Sequence, residues 1–245
     1  MSAPLSVLTW KWTPPTGYRS KFGPETVNTL FAMVRRWYPS PIRAMCITDD
    51  PTGIDPSVEV VPIWNDFADL KSPHGSPRNP SCYRRLRMFH PDAAQWFGPR
   101  FVSLDLDIVI TGSLQPLFDR TEPIVLYGDT NPRPGSHYNG SMILMTAGCR
   151  SRVWTEFDPL TSPQRALRAD CFGSDQAWIS YRLGPGEAKF GTDDGVYSYR
   201  KHLRQGQPLP SDARVVVMHG HVDPWDATGQ RIPWVRKHYR AGVAA

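Results

Sequence analysis

Short apolar blocks separated by proline- and glycine-rich breaks run along the chain. Ser6, Val7, Leu8, Thr9 and Trp10 predict a buried first strand, and Pro14, Pro15, Thr16 and Gly17 break the chain after it. Val27, Leu30, Phe31 and Val34 fall on one helical stripe and predict an amphipathic helix over residues 27–37. Ile42–Thr48 reads as a second strand ending in Asp49, Asp50 and Pro51, and residues 58–63 as a short third. Strand, helix and strand in this succession predict parallel βαβ wiring.

A Pro/Gly/Ser loop over residues 72–80 leads to a short helix over residues 82–89, with Tyr83, Leu86 and Phe89 along one face. Residues 101–110 make the clearest strand of the chain. Val102, Leu104, Leu106 and Ile108 alternate there with Ser103, Asp105 and Asp107 before the strand runs on into Val109 and Ile110. Residues 123–127 and 141–145 predict two more strands, residues 173–181 a helix and residues 214–218 a last strand. No internal repeat interrupts this order.

Composition bounds the fold. A chain of 245 residues that is 40% hydrophobic buries one substantial core, so a single domain with long loops is expected over residues 1–245. Nine Trp, nine Tyr and ten Phe place the 25 Pro and 19 Gly in a loop-rich globular fold rather than a disordered one. Cys46, Cys82, Cys149 and Cys171 form no C-x-x-C pair, which argues against structural zinc. With no secretory signal and no apolar stretch near the roughly 20 residues of a membrane span, the expected place is the cytoplasm of a bacterial or phage-infected host cell.

The net charge of +5 is unevenly spread. Arg78, Arg84, Arg85, Arg87 and Arg100 face one acid, Asp92, within residues 78–100, and Arg231, Arg236, Lys237 and Arg240 face none at the C-terminal end. Patches of this kind suit phosphate-bearing partners or stand as solvated basic faces.

Two features carry chemistry. Alternation puts Asp105 and Asp107 on one strand face, where their repulsion calls for compensation by a hard divalent cation. Such a cation can also clamp the phosphates of a diphosphate leaving group. Further on, the apolar run Val215, Val216, Val217, Met218 delivers His219, Gly220, His221, Val222, Asp223, Pro224 and Trp225 into a loop. His219 just past a strand end suits an Mn²⁺-class ion, and Gly220 lets backbone approach phosphate.

These pieces resemble a GT-A fold glycosyltransferase, similar to the retaining family of glycogenin and the lipooligosaccharide galactosyltransferases. Four elements carry the resemblance: the 101–110 run with its D-x-D, followed by Leu114, Gln115, Pro116, Leu117 and Phe118; Tyr83, Arg84, Arg85 and Leu86, like the family's Tyr-x-Arg-Leu; Asn139, Gly140, Ser141, Met142, Ile143 and Leu144, with Asp175 and Gln176 after it; and His219, Gly220 through Pro224 and Trp225. Their order spans nearly the whole chain.

The resemblance implies a Rossmann-like mixed sheet flanked by helices, with a nucleotide-binding part over about residues 1–110 and a sugar and acceptor part over about residues 111–245. It implies Mn²⁺ or Mg²⁺ on Asp105, Asp107 and His219, and a nucleotide-sugar donor, UDP-sugar first. Asn139, Asp175 and Gln176 would position the sugar. Arg85, Asp105, Gly220, His221 and Trp225 would bind the donor, with Trp10, Lys11 and Tyr18 beside its base. Where the family carries lysine before Pro-Trp, this chain has Asp223, so the charge facing the diphosphate must come from elsewhere, with His221, Arg85 or Lys21 as candidates.

Two acceptor classes stay open: a saccharide or glycan, and a hydroxymethylated pyrimidine in DNA as in phage-type DNA modification. The basic patches favour a polyanion, although Trp234 and Tyr239 beside Arg236 and Lys237 also suit an anionic membrane surface. A non-catalytic nucleotide-sugar- or nucleic-acid-binding protein of the same fold is the competing class.

Overall fold

The computed structural model describes residues 4–18, 20–74, 81–128 and 133–241, with Gln205 in backbone only. Its strands in chain order are β1 (Leu5–Lys11), β2 (Ile42–Thr48), β3 (Glu59–Pro62), β4 (Arg100–Leu104), β5 (Ile108–Ile110), β6 (Ile124–Gly128), β7 (Tyr138–Thr146), β8 (Ala188–Phe190), β9 (Val196–Ser198) and β10 (Val215–Val217). Seven of them form one mixed sheet in the order β3-β2-β1-β4-β7-β6-β8, and the other three a small sheet, β5-β10-β9. The expected α/β class and parallel start hold: β1 pairs parallel with β2 and β4, and β2 with β3.

The large sheet is buried on both faces, which explains why its strands read as continuous apolar runs. Val7, Val102, Leu104 and Leu144 face one core. Leu8, Phe101, Ile143 and Leu126 face the other. On the first face lies the helix Pro24–Trp37, which buries Val27, Leu30, Phe31, Met33 and Val34. Each such side chain contributes about 1.5–3 kcal/mol of burial. That helix begins where Pro24 supplies a preset φ, and Glu25 at its start and Arg35 and Arg36 at its end complement its dipole. On the second face, aromatic rings from Trp10, Tyr83, Phe97 and Trp178 fill the core.

Two expectations need correction. The single strand over residues 101–110 is two strands in two sheets. Asp105 N–H donates to the Ser141 carbonyl at 2.9 Å, a last rung toward β7, and the Asp107 carbonyl accepts from Met218 N–H at 2.8 Å, a first rung toward β10. Between those rungs the chain bends, with Leu106 buried. Alternating apolarity cannot report such a change of partner, because Ile108, Val109 and Ile110 are buried in either arrangement. The helix expected at residues 82–89 is the 3₁₀ helix Tyr83–Phe89. Several short elements carry no periodic signal and went unpredicted: β8, β9, the helices Ser162–Arg168 and Pro233–His238, and a turn of π-helix at Tyr199–Leu203. Among the described residues no helix is long and apolar enough to cross a membrane.

Candidate active site

The order in which strands are added reverses at β1, which has β2 on one side and β4 on the other, both parallel to it. In open α/β sheets ligands bind at such a switch point, beyond the carboxyl ends of the strands. A cleft of about 160 Å³ lies there. Its walls are Trp10 near the end of β1 and Trp12, Tyr18 and Phe22 from the segment after it, and its charged lining is Arg85, Asp105 and Asp107. Both aspartates reach one cleft as the alternation suggested, but the bend between the sheets brings them there. A second depression of about 380 Å³ shares Trp12 and Pro14 and adds Asp49, Asp69, Lys71 and Arg84.

Arg85 organises the cleft. Its Nε and Nη2 meet Asp175 Oδ2 at 2.8 Å, and its Nη1 pairs with Asp105 Oδ1. The Arg85 side chain is 7% exposed and that of Asp175 2%, so this is a buried ion cluster in which each partner compensates another's desolvation. Both neighbouring carboxylates hold the guanidinium's proton well above its ordinary range. Gly140 on β7 makes the cluster possible: a Cβ there would meet Arg85 Nη2. A glycine inside a strand pattern is the sequence signal of such close approach.

Asp107 sits in a different field. Burial, Asp105 and Asp223 together push its carboxyl up to about 7. A half-buried carboxylate crowded by like charges is a cation-seeking group, and aspartate and imidazole suit Mn²⁺-class ions. The donor chemistry therefore fits a divalent ion. The cage is not assembled, however: among the described residues no cluster of three His, Cys, Asp or Glu stands ready to hold a metal. Asp105 is held by Arg85, and His219 Nε2 lies 2.6 Å from Ser198 Oγ. Burial and the nearby Arg200 and His202 charges lower His219 to about 4, so it is a neutral imidazole.

The remaining predicted residues divide. Trp10, Tyr18, Arg85, Asp105 and Asp107 line the cleft. Trp10 is fixed there by its Nε1–H donating to Ser103 Oγ at 3.2 Å. Lys11 does not reach the lining; its Nζ donates to the Asp50 carbonyl at 2.8 Å and clamps the loop after β2 to β1. Lys21 and His221 are exposed and outside the lining. Gly220 adopts φ +122°, a conformation that favours glycine. Trp225 packs on Phe22 at 5.3 Å between ring centroids, while Ser20 Oγ donates to Asp223 Oδ2 at 2.9 Å. The C-terminal loop thus buttresses the segment that walls the cleft.

Asn139 is buried, with its Oδ1 accepting Ser141 N–H at 2.8 Å. Gln176 reaches back to the Phe172 carbonyl at 3.2 Å. Sequence reasoning missed Trp12, Phe22, Cys82 and Leu106 in the lining. Burial pushes the Cys82 thiol up to about 12, which removes it as a thiolate nucleophile.

Within the arginine-rich segment three side chains are engaged by the protein itself, while Arg84 lines the second depression. Arg87 is boxed by Trp64, Trp96 and Trp154 and pairs with Asp66 at 2.6 Å. Arg100 donates to the Arg120 and Glu122 carbonyls. Arg85 is in the buried cluster, and Arg78 lies outside the described residues. Arg231, Arg236, Lys237 and Arg240 are exposed, so the C-terminal patch is a true basic face.

No protein-family model and no curated protein matches the sequence. Solved structures do. A galactosyltransferase, LgtC, crystallised with donor and acceptor sugar analogs, matches 96% of this chain and 97% of its own, with a TM-score of 0.61 at 14% identity. The glycosyltransferase GlyE of Streptococcus pneumoniae TIGR4 matches 92% of this chain and 57% of its own, with a TM-score of 0.55 at 13% identity. The bifunctional glycosyltransferase WbbM matches 97% and 50%, with a TM-score of 0.57 at 10% identity. The fold is that of the GT-A-like nucleotide-sugar glycosyltransferases, with its seven-stranded mixed sheet flanked by helices. Among chains of that fold, it is similar to LgtC over nearly the full length of both.

Proposed function

We propose that the protein is a glycosyltransferase that moves a hexose from a nucleoside-diphosphate sugar, UDP-sugar first, to an acceptor hydroxyl with retention. The observation that carries this reading is the pair Asp105 and Asp107 beneath an aromatic cleft at the sheet's switch point, in a chain with this fold. Residues 1–110 supply the cleft walls, which supports their assignment to the nucleotide, and residues 111–245 are assigned to sugar and acceptor.

In this reading Asp105, Asp107 and His219 hold Mn²⁺ or Mg²⁺, which supplies charge stabilisation on the diphosphate when bound. The chain's own residues do the rest. Trp10, Trp12 and Tyr18 offer stacking faces for the base and exclude water. The Arg85 cluster fixes Asp105 and Asp175 beside the reacting sugar, so their dipoles need no reorganisation as charge develops. Asn139 and Gln176, next in sequence to Gly140 and Asp175, are assigned to position the sugar. The acceptor oxygen bonds to the anomeric carbon as the bond to the diphosphate breaks, and the departing phosphate oxygen takes the acceptor's proton.

The acceptor is assigned as a saccharide. Arg85, Arg87 and Arg100 of the segment that favoured DNA are engaged within the protein, which leaves Arg84 and the C-terminal face as the support for a polyanion. A thermal-shift screen of nucleotide sugars with and without Mn²⁺ names the donor by ligand-linked stabilisation. Transfer to a glycan panel and to hydroxymethylated DNA then follows, with the product anomer read by NMR. Transfer is expected to glycans, to stop in EDTA, and to retain configuration. Turnover unchanged in EDTA removes the metal, transfer to DNA alone reverses the acceptor, and binding with neither transfer nor slow donor hydrolysis makes the protein a non-catalytic binder.

A further inference from the structure

The small sheet gathers a site that the aspartates alone do not define. In it β9 and β10 run parallel, with Val217 opposite Ser198, and β5 runs antiparallel, with Val217 opposite Ile108. One end of it therefore collects the residues just before β5 and just after β9 and β10: Asp107, the turn beginning at Tyr199, and His219 with Gly220. The turn after β9 is a π-helix, Tyr199–Leu203, a geometry often found at functional sites. Two hydrogen bonds tie it to the strand end, Ser198 N–H to His202 Nδ1 at 2.9 Å and Lys201 N–H to Ser198 Oγ at 3.2 Å.

Arg200 projects from this turn. Its Cδ lies 3.8 Å from where a Cβ on Gly220 would stand, so its stem runs along the backbone of the His219–Gly220 loop. Its side chain is exposed, and among the described residues it makes no ion pair. Other arginines near the sheet edges are committed: Arg85 to Asp105 and Asp175, Arg120 to Glu122 and Asp194, Arg150 to Glu187. Arg85 in the cleft lining is fully engaged, and Arg200 stands outside that lining as the exposed Lys21 and His221 do, but of these three it is the one whose charge acts on His219. An unpaired guanidinium beside an imidazole and a left-handed glycine is a bidentate phosphate receptor in waiting.

We propose that Arg200 binds the diphosphate of the donor and takes up its charge as the sugar leaves. The bond between the anomeric carbon and the phosphate oxygen breaks with its electron pair on that oxygen. The acceptor oxygen forms the new bond, its proton passes to the released phosphate, and Arg200 stays a cation throughout. The assignment rests on the glycosyltransferase reading.

The test measures binding of a nucleoside diphosphate, its monophosphate and the free nucleoside to wild type, Arg200→Ala, Arg200→Lys and Lys201→Ala, with kcat and KM for the donor. Arg200→Ala is expected to weaken diphosphate binding about 10- to 100-fold and to lower kcat, from loss of a charge-assisted pair. Nucleoside binding should stay unchanged, Arg200→Lys should recover part of the loss, and Lys201→Ala should match wild type. Circular dichroism confirms that the exposed substitution leaves the fold intact. Diphosphate binding by Arg200→Ala equal to wild type overturns the assignment alone. A wild type that binds no nucleoside diphosphate overturns the glycosyltransferase reading and the assignment with it.

Discussion

The large and small sheets meet at Asp105 and Asp107 and treat their polar groups in opposite ways. On the large-sheet side the polar groups are paired and enclosed: Arg85 between Asp105 and Asp175, Lys11 on the Asp50 carbonyl, Trp10 on Ser103. On the small-sheet side Asp107 is crowded by like charge, His219 is turned onto Ser198 and Arg200 is exposed. One half of the site is organised by the fold itself, and under the proposed reading a bound cation and phosphate would complete the other. Preorganised dipoles stabilise developing charge without reorganising, whereas elements that must open for ligand exchange come from the less tightly held parts of a structure.

The contrast breaks most visibly at Arg85. Arg85→Ala leaves Asp175 buried without its cation and should cost about 3–5 kcal/mol in urea unfolding. A cost near zero would show that the cluster is not the rigid half. At Asp107 the effects should split. Asp107→Asn is expected to lower transfer at least about 100-fold while raising the metal-free thermal midpoint. The sign follows from proton linkage. The carboxyl titrates at about 7 in the folded protein and near 4 unfolded, so folding takes up a proton between those values. Ionised Asp107 therefore costs stability above pH 7, and that cost is relieved as pH falls toward 5. The stability gain of Asp107→Asn over wild type should be largest at pH 8 and shrink through that window. A difference independent of pH would overturn the crowded-carboxylate account.

Gly140→Ala probes the same rigid half more gently. Its new methyl would displace the Arg85 guanidinium, a strain of about 1–3 kcal/mol. Equal thermal midpoints for Gly140→Ala and wild type would mean that the guanidinium has room to move, against the close packing described here.

How much of this was legible in the sequence differs between the halves for a physical reason. The parallel strands, the amphipathic helix and the Asp105–Asp107 pair stand in apolar runs whose periodicity reports burial. The Gly140 signal was also available, because a glycine inside a strand marks a close approach. The ion cluster was not, since Arg85, Asp105 and Asp175 are distant in sequence and periodicity carries no information about which charges meet. The local excess of arginine is ambiguous for the same reason: composition counts charges but not their partners, and Arg87 and Arg100 are engaged by Asp66 and by the Arg120 and Glu122 carbonyls. The small sheet was the least legible part. Three-residue strands such as β9 have no period to detect, so nothing in the sequence placed Ser198 beside His219 or Arg200 beside Gly220.

The smallest expected effect tests how the open half is kept in order. Ser198 Oγ already accepts the Lys201 N–H, and it meets His219 Nε2 at 2.6 Å. When His219 carries its proton on Nε2 and donates it to this hydroxyl, Nδ1 keeps a free lone pair for a cation and the ring cannot swing away. Partners of this kind tune metal affinity by about 10- to 100-fold in known metal sites. Ser198→Ala is therefore expected to raise the Mn²⁺ concentration for half-maximal transfer by about 10-fold and leave kcat at saturating metal near wild type. Ser198→Thr, which keeps the hydroxyl, should restore most of the affinity. A fall in kcat with unchanged metal dependence would instead make Ser198 a prop of the β9 turn, and the open half would then be held by its backbone rather than by this hydroxyl.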